Sequence, residues 1–235
     1  MNSDQYYFTN NSLLVLLQGQ EPFVLSGMSG TVIGSRNDDS ITLLGPESKI
    51  ALAGAGDDMI VSSFETDGMT GPAENYLYGG SGDDVLVSTG FTADEIFGGA
   101  GDDQIIVGSF VTNINGGEGA DTFAYMHISE PYSVSSINDL SFMEGDVVDL
   151  SWLTASGYTL EWNPDDPDFI AVESVSNSDY SEYKDYDDEG DDGEGYWTDD
   201  YGSEFQLDLY VFGLGEQIEL IGGLETALVE GYIVI

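Results

Sequence analysis

The sequence predicts an all-β chain wound as a parallel β-roll, a β-solenoid. Three observations carry the prediction: a nine-residue glycine- and aspartate-rich segment occurs five times, most copies start close to eighteen residues apart, and a short strand-like segment lies between consecutive copies. Self-similarity at a fixed period marks chains that stack one small structural unit upon the next.

The copies are Gly34–Thr42, Ala53–Val61, Gly79–Val87, Gly98–Ile106 and Gly116–Ala124, each reading G-G-x-G-x-D-x-U-x with U a large apolar residue. The last three match at every defined position. The second has Ala53 for its first glycine, and the first has Ser35 and Asn37 at glycine positions. They start at 34, 53, 79, 98 and 116, spacings of 19, 26, 19 and 18 residues. Two nonapeptides make one turn of a flattened helix of parallel strands. The spacing of 26 is such a turn with about seven extra residues, expected in the loop 66–73. Glycine permits the positive φ and close backbone approach of a tight turn. The U residue then opens a strand whose alternate side chains point inward. A second strand is expected at Ile50–Leu52, Tyr76–Tyr78, Glu95–Phe97 and Asn113–Asn115.

Three regions follow. Residues 34–126 form the roll. Residues 1–33, with apolar runs Leu13–Leu17, Phe23–Leu25 and Thr31–Ile33, form an N-terminal cap, because a solenoid end exposes strand edges that must be covered. The sharper alternative is a donor strand pairing with a neighbouring molecule. Residues 127–235 form a β-rich C-terminal region with an acidic insertion over 173–204.

The charge balance restricts the partners. With 45 acidic and 3 basic residues the formal net charge is −42, which opposes compaction. It excludes nucleic acid and anionic membrane as direct electrostatic partners. Metal cations or concentrated salt remain, and acids at fixed places in a repeat point to cations. No cysteine is present, so thiolate sites and disulfides are excluded. The amino-terminal region has no basic start, and Leu13–Leu17 is too short for a membrane span, so no membrane insertion is expected and export must use another route.

Parallel strands stack roughly 4.8 Å apart, and carboxylates repeated at that spacing repel by about 3 kcal/mol per neighbouring pair at an effective dielectric near 20. Such a roll closes only with cations between its turns. Oxygen-only ligands select a hard cation, and flexible, carbonyl-rich coordination favours Ca²⁺ over Mg²⁺. One Gly-Asp cluster reads as a turn; five in register read as a ladder.

Over residues 34–124 the repeat resembles that of the RTX calcium-binding family. The resemblance implies calcium between successive turns, bound by the motif aspartate and by backbone carbonyls of the glycine-rich loop. Carried over, the carboxylate ligands are Asp39, Asp58, Asp84, Asp103 and Asp121. The loop positions are Gly34, Asn37, Gly54, Gly56, Gly79, Gly80, Gly82, Gly98, Gly99, Gly101, Gly116, Gly117 and Gly119. Only every second nonapeptide carries the motif here, so the expectation is a one-sided ladder of about four ions between five loops.

Segment 137–151, with Asp146 and Asp149, looks like the stretch that follows the roll in proteins exported by type I secretion, including the serralysin proteases. Segments 213–223 and 231–235 fit the same region. The resemblance implies an uncleaved C-terminal signal and a secreted, extracellular or cell-surface location. The acidic insertion, with Tyr180, Tyr183, Tyr186, Tyr196, Trp197 and Tyr201 among its acids, is expected to be solvated without calcium, or else to form a weaker cation site or a contact surface.

No catalytic motif is found: His127 is the sole histidine, the zinc motif H-E-x-x-H is absent, and there is neither a G-x-S-x-G elbow nor a phosphate loop. Fewer than 40 residues precede the first motif, too few for an effector domain. The expectation is therefore a non-enzymatic, secreted calcium-binding protein that folds on Ca²⁺ outside the cell, as metal-dependent domains do. It is further expected to self-associate into a surface layer, filament or matrix. The alternative is an adhesin or carbohydrate-binding calcium module that contacts cell-surface glycan through its tyrosines.

Overall fold

The U residues Ile41, Ile60, Leu86, Ile105 and Phe123 lie in parallel register on neighbouring strands and are fully buried. A second buried column, Val15, Val32, Ala51, Leu77, Ile96, Ile114, Ile137 and Val211, runs in register through the other sheet. These two columns run through the centre of the core. Branched and aromatic side chains suit the pleated, half-buried surface of a strand, and alternation sends every second one inward.

The computed structural model describes residues 5–9, 12–17, 22–64, 74–90, 92–108, 112–126, 132–162, 167–174, 206–211 and 213–235. The chain enters through β1 (Gln5–Thr9), β2 (Ser12–Leu16), β3 (Phe23–Ser26), β4 (Gly30–Ile33) and β5 (Ser40–Leu44). The central turns are β6 (Lys49–Ala55), β7 (Met59–Phe64), β8 (Asn75–Ser81), β9 (Val85–Gly90), β10 (Glu95–Ala100), β11 (Gln104–Val107), β12 (Thr112–Glu118) and β13 (Thr122–Tyr125). Then follow β14 (Tyr132–Ile137), β15 (Val147–Asp149), α1 (Ser151–Ala155), β16 (Tyr158–Trp162), β17 (Phe169–Ser174), β18 (Gln206–Val211), α2 (Leu214–Ile221), α3 (Leu224–Glu230) and β19 (Ile233–Val234).

One sheet has the order β1-β2-β4-β6-β8-β10-β12-β14-β18-β17-β16 and the other β19-β15-β13-β11-β9-β7-β5-β3. From β2 to β15 the chain alternates between the sheets, and each strand pairs in parallel with its counterpart one turn away. The fold is thus the all-β parallel roll that the repeat predicts. The four expected second strands lie in β6, β8, β10 and β12, each running on into its glycine loop.

The parallel ladder extends past both expected boundaries. Strands β2, β3 and β4 already stand in register with the roll ahead of the first motif, and β14 and β15 continue it after the last. Register needs only inward apolar residues, so it outlives the glycine motif. At the two ends of the longer sheet, antiparallel β1 on one side and β17 and β16 on the other terminate the parallel order. The C-terminal region, expected to be β-rich, also holds three short helices among its described residues. In α2, Leu214 and Ile218 are buried one turn apart, and left-handed Gly213 and Gly222 bound the helix. Among the described residues no helix is long and apolar enough to cross a membrane.

Loop 66–73, His127 and the tyrosine-bearing part of the acidic insertion lie outside the described residues. The strands flanking that insertion are antiparallel neighbours, with Glu173 opposite Gln206.

Candidate cation ladder on the glycine edge

The five motif loops stack along one edge of the roll because each ends one strand and begins the next at the same register. Their aspartates Asp39, Asp58, Asp84, Asp103 and Asp121 are all buried, none more than 4% exposed. The backbone N–H of each donates to Oδ1 of the aspartate one turn later. The distances are 2.7 Å from Asp39 to Asp58, 2.8 Å from Asp58 to Asp84, 2.8 Å from Asp84 to Asp103 and 2.9 Å from Asp103 to Asp121.

A second ladder runs outside the first and in the opposite sense. The N–H of Asp57 donates to Asp38 at 3.1 Å, Asp83 to Asp57 at 3.0 Å, Asp102 to Asp83 at 2.9 Å and Ala120 to Asp102 at 2.9 Å. The inner row leans back along the roll and the outer row leans forward. The Asp-Asp doublet in the first four motifs is the sequence signal for this outer row; in the fifth motif Ala120 takes the place of its first aspartate.

The inner ladder leaves one oxygen over in each loop. Oδ2 of Asp58, Asp84, Asp103 and Asp121, and Oδ1 of Asp39, are buried with no hydrogen-bond partner among the described residues. Buried polar atoms are paired in all but a few cases. This chain does satisfy a buried carboxylate elsewhere: on the opposite edge, Asp94 accepts from Asn75 at 3.1 Å and Ser88 at 2.8 Å. The five oxygens left bare in one row are of the character that a cation would satisfy.

Backbone carbonyls face the same space. At Gly79 and Gly98 an added Cβ would collide with the free Oδ2 of the loop's own aspartate, Asp84 or Asp103, and with the carbonyl oxygen of Gly98 or Gly116 in the next loop. The carbonyls of Gly54, Gly80 and Gly99 point at the second glycine of the following loop, and those of Gly56, Gly82 and Gly101 at its third. Gly99, with φ +129°, and Gly101, with φ +134°, show why glycine is required: a side chain there would be both strained and driven into backbone. At Gly79 and Gly98 the gaps thus gather carboxylate and carbonyl oxygens, a donor set that fits a hard, flexibly coordinated cation such as Ca²⁺. Among the described residues no three His, Cys, Asp or Glu side chains converge, so backbone oxygens would have to complete any site.

Electrostatics agree. Burial pushes the carboxyls of Asp58 and Asp84 up to about 6 and that of Asp103 to about 7, with neighbouring aspartates adding to the shift. Asp121 is raised by burial and by Asp139, Asp102 and Glu144. The ion pair found among the described residues, Lys49 with Glu47, lies on the other edge.

The ends of the row differ. In the first loop Oδ2 of Asp39 accepts the N–H of Ser35 at 2.6 Å, and Asn37 is exposed, donating its N–H and its side-chain amide to Ser35 Oγ at 3.2 and 3.3 Å. The Asn37 side chain is thus tied to its own loop, while its carbonyl oxygen lies against Gly56 as that of Gly56 lies against Gly82. In the second loop Ala53 puts a methyl group where the other loops have only hydrogen. After the fifth loop the row gains two members that the glycine pattern does not reveal. Asp139 accepts from Gly116 at 2.9 Å and Gly117 at 3.1 Å, and Asp146 accepts from Asp121 at 2.9 Å and Ser141 at 2.7 Å. Asp146 is a sixth rung with both oxygens satisfied. The spacing Asp146-Val-Val148, with Val148 in register with Phe123, repeats the D-x-U signal without the glycines.

The family model described as the C-terminal region of M10 serralysin peptidases matches residues 53–188, more than half of the chain. No curated protein and no solved structure matches it. Four of the five loops, the two aspartate ladders from Asp57 and Asp58 onward, and Asp146 fall within the matched span. By that match the chain belongs to the serralysin C-terminal family, the region of RTX-type repeats in type I secreted proteins.

Proposed function

We propose that this chain is a secreted calcium-binding module whose roll closes only when Ca²⁺ fills the gaps of the glycine edge, so that it folds after leaving the cell. The row of buried, partnerless carboxylate oxygens carries this reading. Asp58, Asp84, Asp103 and Asp121, with carbonyls of the adjoining loops, are the residues that would hold the ions. Calcium supplies the positive charge that 45 acidic and 3 basic residues cannot. Extracellular sites bind at roughly 0.1–1 mM, so folding would register arrival outside the cell. The family supports type I secretion as the route.

We read the chain as structural and not enzymatic, a subunit of an extracellular assembly. The favouring observation is the outer face of the long sheet, where Leu16, Ile33, Leu52, Tyr78 and Phe97 stand in one register column, half-buried and outward. Contiguous outward apolar surface suits contact with another protein. A glycan-directed role draws less support from this face: Tyr78 and Phe97 stack on each other, centroids 4.7 Å apart and planes at 4°, and so present edges to a sugar.

Circular dichroism and light scattering during one calcium titration test both levels. Calcium-induced β structure supports the gated roll, and a mass that then climbs supports assembly. A folded monomer removes the assembly reading, and no response to calcium removes the whole proposal.

A further inference from the structure

Lys49 is one of three basic residues in the chain, and its side chain is fully buried inside the roll. It opens β6 on the edge opposite the glycine loops, in register with Gly30 and Asn75. A buried ammonium must be held by oxygens, and the turn 45–49 supplies them. Nζ donates to the carbonyl oxygens of Glu47 at 2.5 Å and Gly45 at 3.3 Å, and Glu47 Oε2 lies 3.6 Å away. Gly45, at φ +96°, allows the turn to fold back so that this carboxylate reaches the ammonium. Glu47 Oε2 is buried without a hydrogen bond and is compensated by charge alone.

The donor set is two carbonyls and one carboxylate from a turn that opens on a left-handed glycine. The glycine edge gathers the same chemistry across the roll, but there, among the described residues, the row of buried carboxylates has no ion pair with a basic side chain. On the Lys49 edge the buried acid, Asp94, is linked to the lysine: the Lys49 N–H donates to Asn75 Oδ1 at 2.9 Å, and the Asn75 amide donates to Asp94. The charges that face the ammonium are those of Glu47 and Asp94.

We propose that the Lys49 ammonium is a tethered substitute for a metal ion, seated in a carbonyl–carboxylate cage that accepts Ca²⁺ once the lysine is removed. One edge of the roll is then closed by the chain's own cation, while the other waits for a soluble one. The readout rests on the calcium reading of the glycine edge, and wild-type protein run in parallel reports on that reading separately.

The test compares the full-length chain with Lys49→Ser, which empties the cage, and Lys49→Met, which fills it without charge. Calcium stoichiometry is measured by equilibrium dialysis and folding by circular dichroism. Lys49→Ser should bind one more calcium per chain than wild type and fold at several-fold higher calcium. Lys49→Met should gain no ion and remain less folded than wild type at every calcium concentration. Unchanged stoichiometry in Lys49→Ser overturns the proposal, as does a Ser variant that no calcium concentration folds. A wild type that ignores calcium removes the function proposed above, yet leaves the difference between Ser and wild type to be read.

Discussion

Asp103 accepts a 2.8 Å hydrogen bond from the backbone N–H of Asp84, one turn earlier, while its second carboxylate oxygen lies buried without a partner. The two oxygens have separable tasks, one closing a rung and the other facing the gap, and substitutions can separate them.

Asp103→Asn keeps an oxygen for the rung and replaces the partnerless one with an amide. It should fold at least as readily as wild type without calcium at neutral pH, because a buried charge is gone, yet bind calcium more weakly. Asp103→Ala also loses the rung and leaves the Asp84 N–H unpaired, which costs roughly 1–3 kcal/mol. Calcium titrations of the three proteins should rank wild type, Asn and Ala in order of rising midpoint.

The position of a rung sets its importance. Asp84 and Asp103 each cap the preceding turn, whereas Asp39 has no earlier motif to cap and accepts from Ser35 within its own loop. Asp39→Ala should raise the calcium midpoint less than Asp84→Ala or Asp103→Ala. Equal effects would contradict the ladder.

Acid should partly replace calcium. The carboxyls of Asp58, Asp84 and Asp146 are raised to about 6 and that of Asp103 to about 7, against an ordinary value of 3.8. A raised folded-state value means that the folded roll binds protons more tightly than the unfolded chain. The resulting stability is complete below the ordinary value and is lost as pH rises through the raised ones. Calcium-free protein should therefore gain β structure as pH falls from about 7.5 to about 5, followed by circular dichroism. A calcium-free signal that instead falls on acidification would show that these carboxylates are stabilised as anions.

Glycine substitutions should divide by what lies above them. Gly99→Ala meets the Gly80 carbonyl and should prevent folding at any calcium concentration. Gly157, at φ +92° with nothing within 4 Å of an added Cβ, should lose only the backbone strain on Ala substitution, roughly 1–3 kcal/mol, measured by urea unfolding in calcium.

Replacing residues 175–205 by a short turn should leave the calcium midpoint of the roll unchanged, since Glu173 and Gln206 already pair as antiparallel neighbours. A fall in bound calcium would instead assign ions to the insertion.

Much of this was legible in the repeat. The inward U positions, the two strands per turn and the single row of Asp39, Asp58, Asp84, Asp103 and Asp121 follow from a period of two nonapeptides, because neighbours in a solenoid are set by that period. Less legible were features that depend on contacts rather than on pattern. Asp146 joins the row through register without a glycine loop, and the side chain of Asn37, aligned with a glycine, bonds Ser35 Oγ. Segment 213–223 carries helical spacing at Leu214 and Ile218, a signal that its flanking glycines obscure in a β context.

By itself, then, the sequence determined the parallel roll, its spacing and the edge on which acidic side chains accumulate. A repeat places equivalent residues one above another whatever else the chain does. Only the tertiary structure decided which carboxylate oxygen is bonded and which is left bare, that the inner and outer rows lean in opposite directions, and that Lys49 is enclosed. Those outcomes depend on the direction of individual N–H and C=O groups across turns 18 to 26 residues apart, which no local pattern encodes.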